Sequence, residues 1–309
     1  MLNRKPIFIN GFSSGGTTIL TNFLASHPDV CTVSEIHHLF KGHSLTDTAL
    51  RVLMKCVFHD APAMALSGQD FFSPRSISPR KKLSGLAKRF IDRVLYKEKL
   101  RSQNVFFNRF KHQDVEYSRQ EIVNSRLVGK NVDGMIFTSD ALTEMYPDAT
   151  FIGLLRDGLA VCEGHLRKNR SAREIGFRYR VLGQKMQADA RRFAHYQLIR
   201  FEDLLSDPVA SVRLLYDHAG LEFDKLRDVR MQIRRVLDKD GNHRLRGGSE
   251  WDVVWSDLDG LASHFQKDVN RHQIKRLSAA DRDAFLKEAG ETMELLGYPT
   301  LSSTSEQAA

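Results

Sequence analysis

The chain has no apolar run of 18 residues, so the sequence predicts no transmembrane helix. Cysteine is scarce: Cys31, Cys56 and Cys162 are odd in number and far apart. That excludes a disulfide framework and close-spaced zinc ligands, and leaves isolated thiols expected to be reduced. The opening MLNRK runs straight into a strand-like segment, with no room for the apolar region of a signal peptide, so a cytoplasmic location is expected. Internal repeats are also missing. What remains is an ordinary globular chain of 309 residues, 41% hydrophobic and 27% charged, long enough for one large core or a core with an appended lobe.

Acidic residues are lacking in one place. Over 75–111 twelve Lys and Arg face only Asp92 and Glu98, and the whole formal excess of +8 arises there. The overall pI near 9.4 favours anionic partners: nucleotides, acidic glycans, anionic lipid or nucleic acid. Within this stretch Leu83, Leu86, Phe90, Ile91, Val94 and Leu95 predict an amphipathic helix over 82–99, fed by the loop SPRSISPRKK. The interval 68–130 reads as a helical insertion or lid whose cations would give the rim of a cleft a positive potential. A basic helix of this kind would suit an anionic acceptor or a peripheral contact with a membrane. Its apolar stripe has the plainer reading of packing on the core. Aromatic residues are not interleaved with the cations as a stacking array, so specific nucleic-acid binding is not expected.

Strand–helix units recur along the rest. Pro6–Asn10 is apolar, GFSSGGTT follows at 11–18, and a helix from Thr17 ends before His27-Pro28. A helix capped by Ser139 precedes the strand Thr150–Leu155, then Arg156-Asp157-Gly158 and a helix starting near Leu159. The strand Tyr196–Phe201 leads to Asp207-Pro208, which opens a helix closed by Gly220. Ser278 and Asp281 cap a last helix that Gly297 ends. Continuous apolarity in the strands and short turns between units predict an α/β fold: a three-layer parallel sheet with helices on both faces. One domain is expected over 1–301, with a disordered tail at 302–309.

The glycine-rich turn also lacks something. A phosphate loop of nucleotide triphosphatases reads G-x-x-x-x-G-K-[ST]; here Gly11 and Gly16 are in place, but Thr17 stands where the lysine belongs. Backbone N–H groups and a helix N-terminus can still hold a phosphate. Without the lysine, triphosphate hydrolysis and kinase chemistry are disfavoured. A plain tight connection between strand and helix is the bland alternative.

PIFINGFSSGGTTILTNFLASHPDV resembles the opening of sulfotransferases that use 3′-phosphoadenosine 5′-phosphosulfate. FIGLLRDGLAVCEGHLRKNR resembles that family's 3′-phosphate segment, YQLIRFEDLLSDPVASVRLLYDHAGL the segment after it, and EAGETMELLGYP the closing helix. The blocks span most of the chain in the family's order. The resemblance implies a P-loop-like sulfotransferase fold with Gly11, Ser13, Ser14, Gly15, Gly16, Thr17 and Thr18 around the donor's 5′-phosphosulfate, and Arg156 on the 3′-phosphate. Arg156 as a mere salt-bridge partner of Asp157 is the alternative. Two positions depart from the pattern: Ser14 replaces a basic residue, and Gly164 replaces a serine near the 3′-phosphate. Another cation is then needed beside the leaving phosphate, and Lys130 is the first substitute, His243 and Arg244 the second. No metal is implied; His37, His38 and His43 have no ligand spacing.

Sulfuryl transfer needs a base for the acceptor proton, and Glu35 is favoured over His38, and His38 over His37, although a wet helix start would look the same. The function implied is in-line transfer from 3′-phosphoadenosine 5′-phosphosulfate to a hydroxyl of a small molecule, carbohydrate or lipid, releasing 3′-phosphoadenosine 5′-phosphate. A binding protein for phosphoadenosine nucleotides that has lost catalysis is the first alternative, and a kinase-like phosphate-loop enzyme the next. Acceptor and oligomeric state are not legible.

Overall fold

The computed structural model describes residues 2, 5–35, 85–101, 117–233, 235–237, 243–245 and 252–300. Its centre is a five-stranded parallel sheet in the order β2-β3-β1-β4-β5, formed by β1 (Ile7–Gly11), β2 (Val30–Glu35), β3 (Arg126–Val132), β4 (Thr150–Leu155) and β5 (Tyr196–Arg200). The register is parallel throughout, with Ile9 level with Lys130 on one side and Ile152 on the other. β1 and β4 are buried along their whole length, which is why they read as continuous apolar runs rather than alternating ones.

Alternate residues of the central strands feed opposite layers. Ile7, Ile9, Ile152 and Leu154 meet α1 (Thr17–Ala25) and α8 (Pro208–Ala219) through Leu20, Phe23, Leu24, Val212, Leu215 and Tyr216. Phe8 and Phe151 face the other way, towards Ile91 and Leu95 of α2 (Gly85–Arg101) and Leu142 of α4 (Ser139–Met145). A third cluster joins Phe12 and Leu155 to α5 (Gly158–Leu166), α6 (Ala172–Arg192) and α10 (Ala279–Leu295) through Leu159, Tyr179 and Phe285. The three-layer architecture expected from the sequence is therefore present.

Three remaining helices, α3 (Arg119–Asn124), α7 (Phe201–Ser206) and α9 (Val269–Ile274), are short. β6 (Val229–Ile233) pairs antiparallel with β9 (Asp252–Ser256), and β7 (Arg235–Leu237) with β8 (His243–Leu245). Local punctuation follows the sequence closely. Asp207 accepts the Ala210 N–H at 2.9 Å, Pro208 opens α8, and Gly220 closes it with φ 64°. Ser278 accepts the Asp281 N–H at 3.1 Å at the start of α10. Ser139 differs: it is the first helical residue, not the cap, because its hydroxyl donates to the Ile136 carbonyl and accepts from Asn10. Phe201 likewise leaves the expected strand and opens α7.

The basic helix requires a correction. α2 is helical as expected, with Ile91 and Leu95 buried and Arg89, Arg93 and Lys97 exposed. Its anchors, however, lie at the N-terminal ends of the strands. Asp92 accepts from the Leu2 N–H and the Tyr146 hydroxyl; Lys99 donates to the Val123 and Ser125 carbonyls; the Lys99 carbonyl lies against Cys31. Buried Lys99 caps the carbonyl end of α3, a use of charge that no count of basic residues could show. The described part of this segment thus stands at the end of the sheet opposite the glycine loop and does not line a rim there. Lys81 and Lys82, the rest of 68–84 and 102–116, and the tail 302–309 lie outside the described residues. No helix among the described residues is long and apolar enough to cross a membrane.

Candidate functional site

β1 has β3 on one side and β4 on the other, and the chain leaves it in one direction for β2 and crosses in the other from β3 to β4. In open α/β sheets that reversal opens a crevice at the C-terminal ends of the strands. Residues 12–16 occupy it, followed by α1. Ser14 has φ 62° and Gly16 φ 90°, two left-handed residues within a five-residue turn. The Gly15 N–H closes the turn on the Phe12 carbonyl at 2.9 Å.

Several side chains hold this turn from outside. Asp133, just beyond β3, accepts the Ser13 N–H at 2.8 Å. His165 of α5 contacts the Ser13 carbonyl through Nε2 at 2.9 Å, and Arg156, just beyond β4, donates from Nη1 to the Ser14 carbonyl at 2.7 Å. A peptide plane points its C=O and N–H in opposite directions. Holding the Ser13 carbonyl against His165 therefore turns the Ser14 N–H away from it. The first-turn N–H groups of α1, at Thr17 and Thr18, have no partner within their own helix, and they add the positive end of its dipole.

The glycines are here because there is no room for more. A Cβ on Gly15 would lie 2.7 Å from the Phe12 carbonyl oxygen, and one on Gly11 2.5 Å from the Thr17 Cγ2. Gly164 belongs to the same packing: its Cβ would fall 2.9 Å from that of Ser14. The two departures from the family pattern, Ser14 and Gly164, thus touch each other. A turn of this shape with a helix N-terminus behind it can hold an anion.

Arg156, for which the resemblance implies contact with a 3′-phosphate, has protein partners for its guanidinium in the structure. It is only 6% exposed; Nε and Nη2 donate to the Asn270 Oδ1 at 3.0 and 2.8 Å, and Nη2 also to the Gln273 Oε1. Its plane stacks 4.2 Å from the centre of the Phe201 ring. Burial lowers its pKa to about 10, partly offset by the charge of Glu202. Glu202 in turn accepts from the Asp157 N–H at 3.1 Å, from Asn270 and from the Tyr298 hydroxyl at 2.9 Å. A chain of hydrogen bonds thus runs Tyr298–Glu202–Asn270–Arg156–Ser14. It joins segments from both ends of the sequence at the loop.

Asn270, Gln273, His165 and Asp133 were not singled out from the sequence. Asn270 and Gln273 lie three apart on one face of a one-turn helix, a spacing too common to signal anything. Asp133 gave a weak cue: an Asp-Gly pair after a strand, here with φ 54°. Of the sequence-chosen residues, Glu35 ends β2 and is level with Lys130 across the β2–β3 pair. Lys130 is half-buried and level with Ile9, two residues short of the end of its strand. The structure describes His243 and Arg244 by backbone alone, as part of the β7–β8 hairpin. His38 lies outside the described residues.

His165 carries a pH signature. It is 3% exposed, and burial is the main cause that lowers its pKa from 6.5 to about 4. A carbonyl can only accept, so Nε2 carries the proton, and Nδ1 is buried with no hydrogen-bond partner among the described residues. The unfolded chain takes up this proton near pH 6.5, the folded chain only near 4. Its contribution is therefore complete above pH 6.5 and is lost as pH falls towards 4, about 3 kcal/mol in all. His165→Gln should flatten the dependence of stability on pH between 4 and 6.5, measured as urea midpoints. An unchanged slope in the variant would assign that dependence to other groups.

A model described as "Sulfotransferase family" matches residues 6–225. Solved structures similar to this chain include two sulfotransferase domains. The sulfotransferase domain from the curacin biosynthetic pathway is 15% identical, with a TM-score of 0.51 over 97% of this chain and 99% of that one. The sulfotransferase domain from the Synechococcus PCC 7002 olefin synthase is 15% identical, with a TM-score of 0.49 over 96% and 98%. At this identity the first likeness is one of fold. No curated protein matches the chain in sequence.

Proposed function

The chain belongs to the sulfotransferase family, and we propose that it transfers a sulfuryl group from 3′-phosphoadenosine 5′-phosphosulfate to a hydroxyl of a small molecule, carbohydrate or lipid. The observation that carries this reading is the turn at residues 12–16. Its carbonyls at Ser13 and Ser14 are drawn outward by His165 and Arg156, and α1 begins directly behind it. Such a turn presents N–H donors to an anion without a basic residue of its own. The donor would supply an activated sulfuryl group on a phosphate.

The residues of the chain would divide the work. Gly16, Thr17 and Thr18 bind the phosphate end through the backbone, Gly15 holds the turn closed on the Phe12 carbonyl, and Ser13 and Ser14 stand at the tip. Arg156 positions the loop and, through its own charge, favours an anion beside it. Glu35, ending β2 at the same edge of the sheet, is the proposed base for the acceptor hydroxyl, level with Lys130. No residue is needed to hold a metal.

Calorimetric titration with 3′-phosphoadenosine 5′-phosphate tests the donor. Saturable, stoichiometric binding that survives EDTA is expected, together with release of this nucleotide from the donor when a hydroxyl acceptor is added. Absence of binding, or a preference for ATP with magnesium, would overturn the reading. Binding without release across a broad panel of acceptors would favour a chain that has kept the fold and lost the reaction.

A further inference from the structure

We propose that Lys168 is the catalytic cation of this site, taking the place left empty by Ser14. The inference rests on the donor reading above. The turn at residues 11–18 holds no Lys or Arg. Among the described residues, three nitrogen-bearing side chains are hydrogen-bonded to Ser13 or Ser14. Arg156 is buried against amide oxygens, and His165 is neutral. Lys168 is exposed, and its Nζ donates to the Ser14 Oγ at 3.3 Å.

The packing explains how it arrives there. Residues 164 and 168 are four apart, on the same side of α5 and the turn that continues it. With no Cβ at Gly164, α5 presses directly on Ser14, and the next residue on that side reaches the tip of the turn. A side chain at position 164 would fill the contact.

The chemistry needs a cation at this point. The acceptor oxygen forms a bond to sulfur and gives its proton to the base, while the bond from sulfur to the bridging oxygen of the 5′-phosphate breaks. That bond's electron pair stays on the phosphate oxygen, so negative charge grows there. An ammonium on a flexible stem can turn from Ser14 to that oxygen as the charge develops.

Three variants test this: Lys168→Ala, Lys168→Arg and, in the Ala background, Ser14→Lys. Lys168→Ala should lower kcat about 100-fold, the scale of losing one donor to a developing oxyanion. Its affinity for 3′-phosphoadenosine 5′-phosphate should fall about 10-fold, with affinity for adenosine 3′-monophosphate, which has no 5′-phosphate, unchanged. Lys168→Arg should keep most of the binding, and Ser14→Lys should restore part of the lost turnover. If Lys168→Ala keeps wild-type turnover and nucleotide affinity, the role of Lys168 is overturned while the donor reading stands. If the wild-type chain binds neither nucleotide, it is the donor reading that fails.

Discussion

Arg156→Ala is expected to cost about 3–5 kcal/mol of stability, on the order of 10 °C in Tm, and to abolish nucleotide binding. The side chain is a buried cation near Glu202 and Asp157, and it satisfies the oxygens of Asn270, Gln273 and Ser14 at once. Removing it leaves Glu202 without its nearby positive charge and strands buried amide oxygens, each costing about 1–3 kcal/mol. The Ser14 carbonyl is then free to rotate, and the turn loses the orientation of its N–H groups. Arg156→Lys should recover little, because a single ammonium cannot serve three acceptors arranged around a flat guanidinium stacked on Phe201. Thermal melting and titration with 3′-phosphoadenosine 5′-phosphate read the two effects separately. A variant with wild-type Tm and lost affinity would place the arginine on the ligand alone and not in the brace described above.

Gly16→Ala should be nearly as damaging, for a different reason. Gly16 has φ 90°, and a Cβ there would lie 2.3 and 2.4 Å from two carbons of the Phe201 ring. The left-handed backbone costs a non-glycine residue about 1–2 kcal/mol, and forcing the ring aside adds a further ~1–3 kcal/mol. Because Phe201 also stacks on Arg156, its displacement reaches the brace of the loop. Nucleotide affinity should fall by more than about 10-fold, the equivalent of 1.4 kcal/mol. Gly85→Ala is the control. A Cβ at Gly85 meets nothing within 4 Å, and the change should leave binding intact and stability equal or slightly higher. Equal behaviour of the two variants would show that the turn tolerates a side chain at Gly16 and that its geometry does not govern binding.

Much of the frame was legible because it depends on neighbours in sequence. Asp207-Pro208 with Gly220, and Ser278 with Asp281, are capping signals complete within one helix, and the structure realises them. The strand Thr150–Leu155 shows by its unbroken apolarity that both faces are covered. The glycine turn announces itself through residues whose absent side chains are the requirement. Ser139 and Phe201 were misread at their ends because a tertiary partner intervenes: Asn10 in one case, the arginine and Gly16 in the other. The basic stretch was misplaced for a similar reason. Its charges can be counted from the sequence, but the end of the sheet at which the described helix Gly85–Arg101 is anchored depends on Asp92 and Lys99.

By itself, then, the sequence determined the parallel three-layer fold, the glycine-rich turn after the first strand and the likeness to sulfotransferases, all carried by short patterns. Only the tertiary structure decided which side chains serve that turn. Asp133, His165, Lys168, Asn270 and Gln273 belong to three different segments, and no local spacing marks them for this task. They meet because parallel strands deliver their C-terminal ends to one edge, and because Gly164 lets a helix come close enough for a lysine one turn later to touch Ser14. Distances of a few ångströms between residues more than 100 positions apart are set by packing, and packing is not written in local spacing.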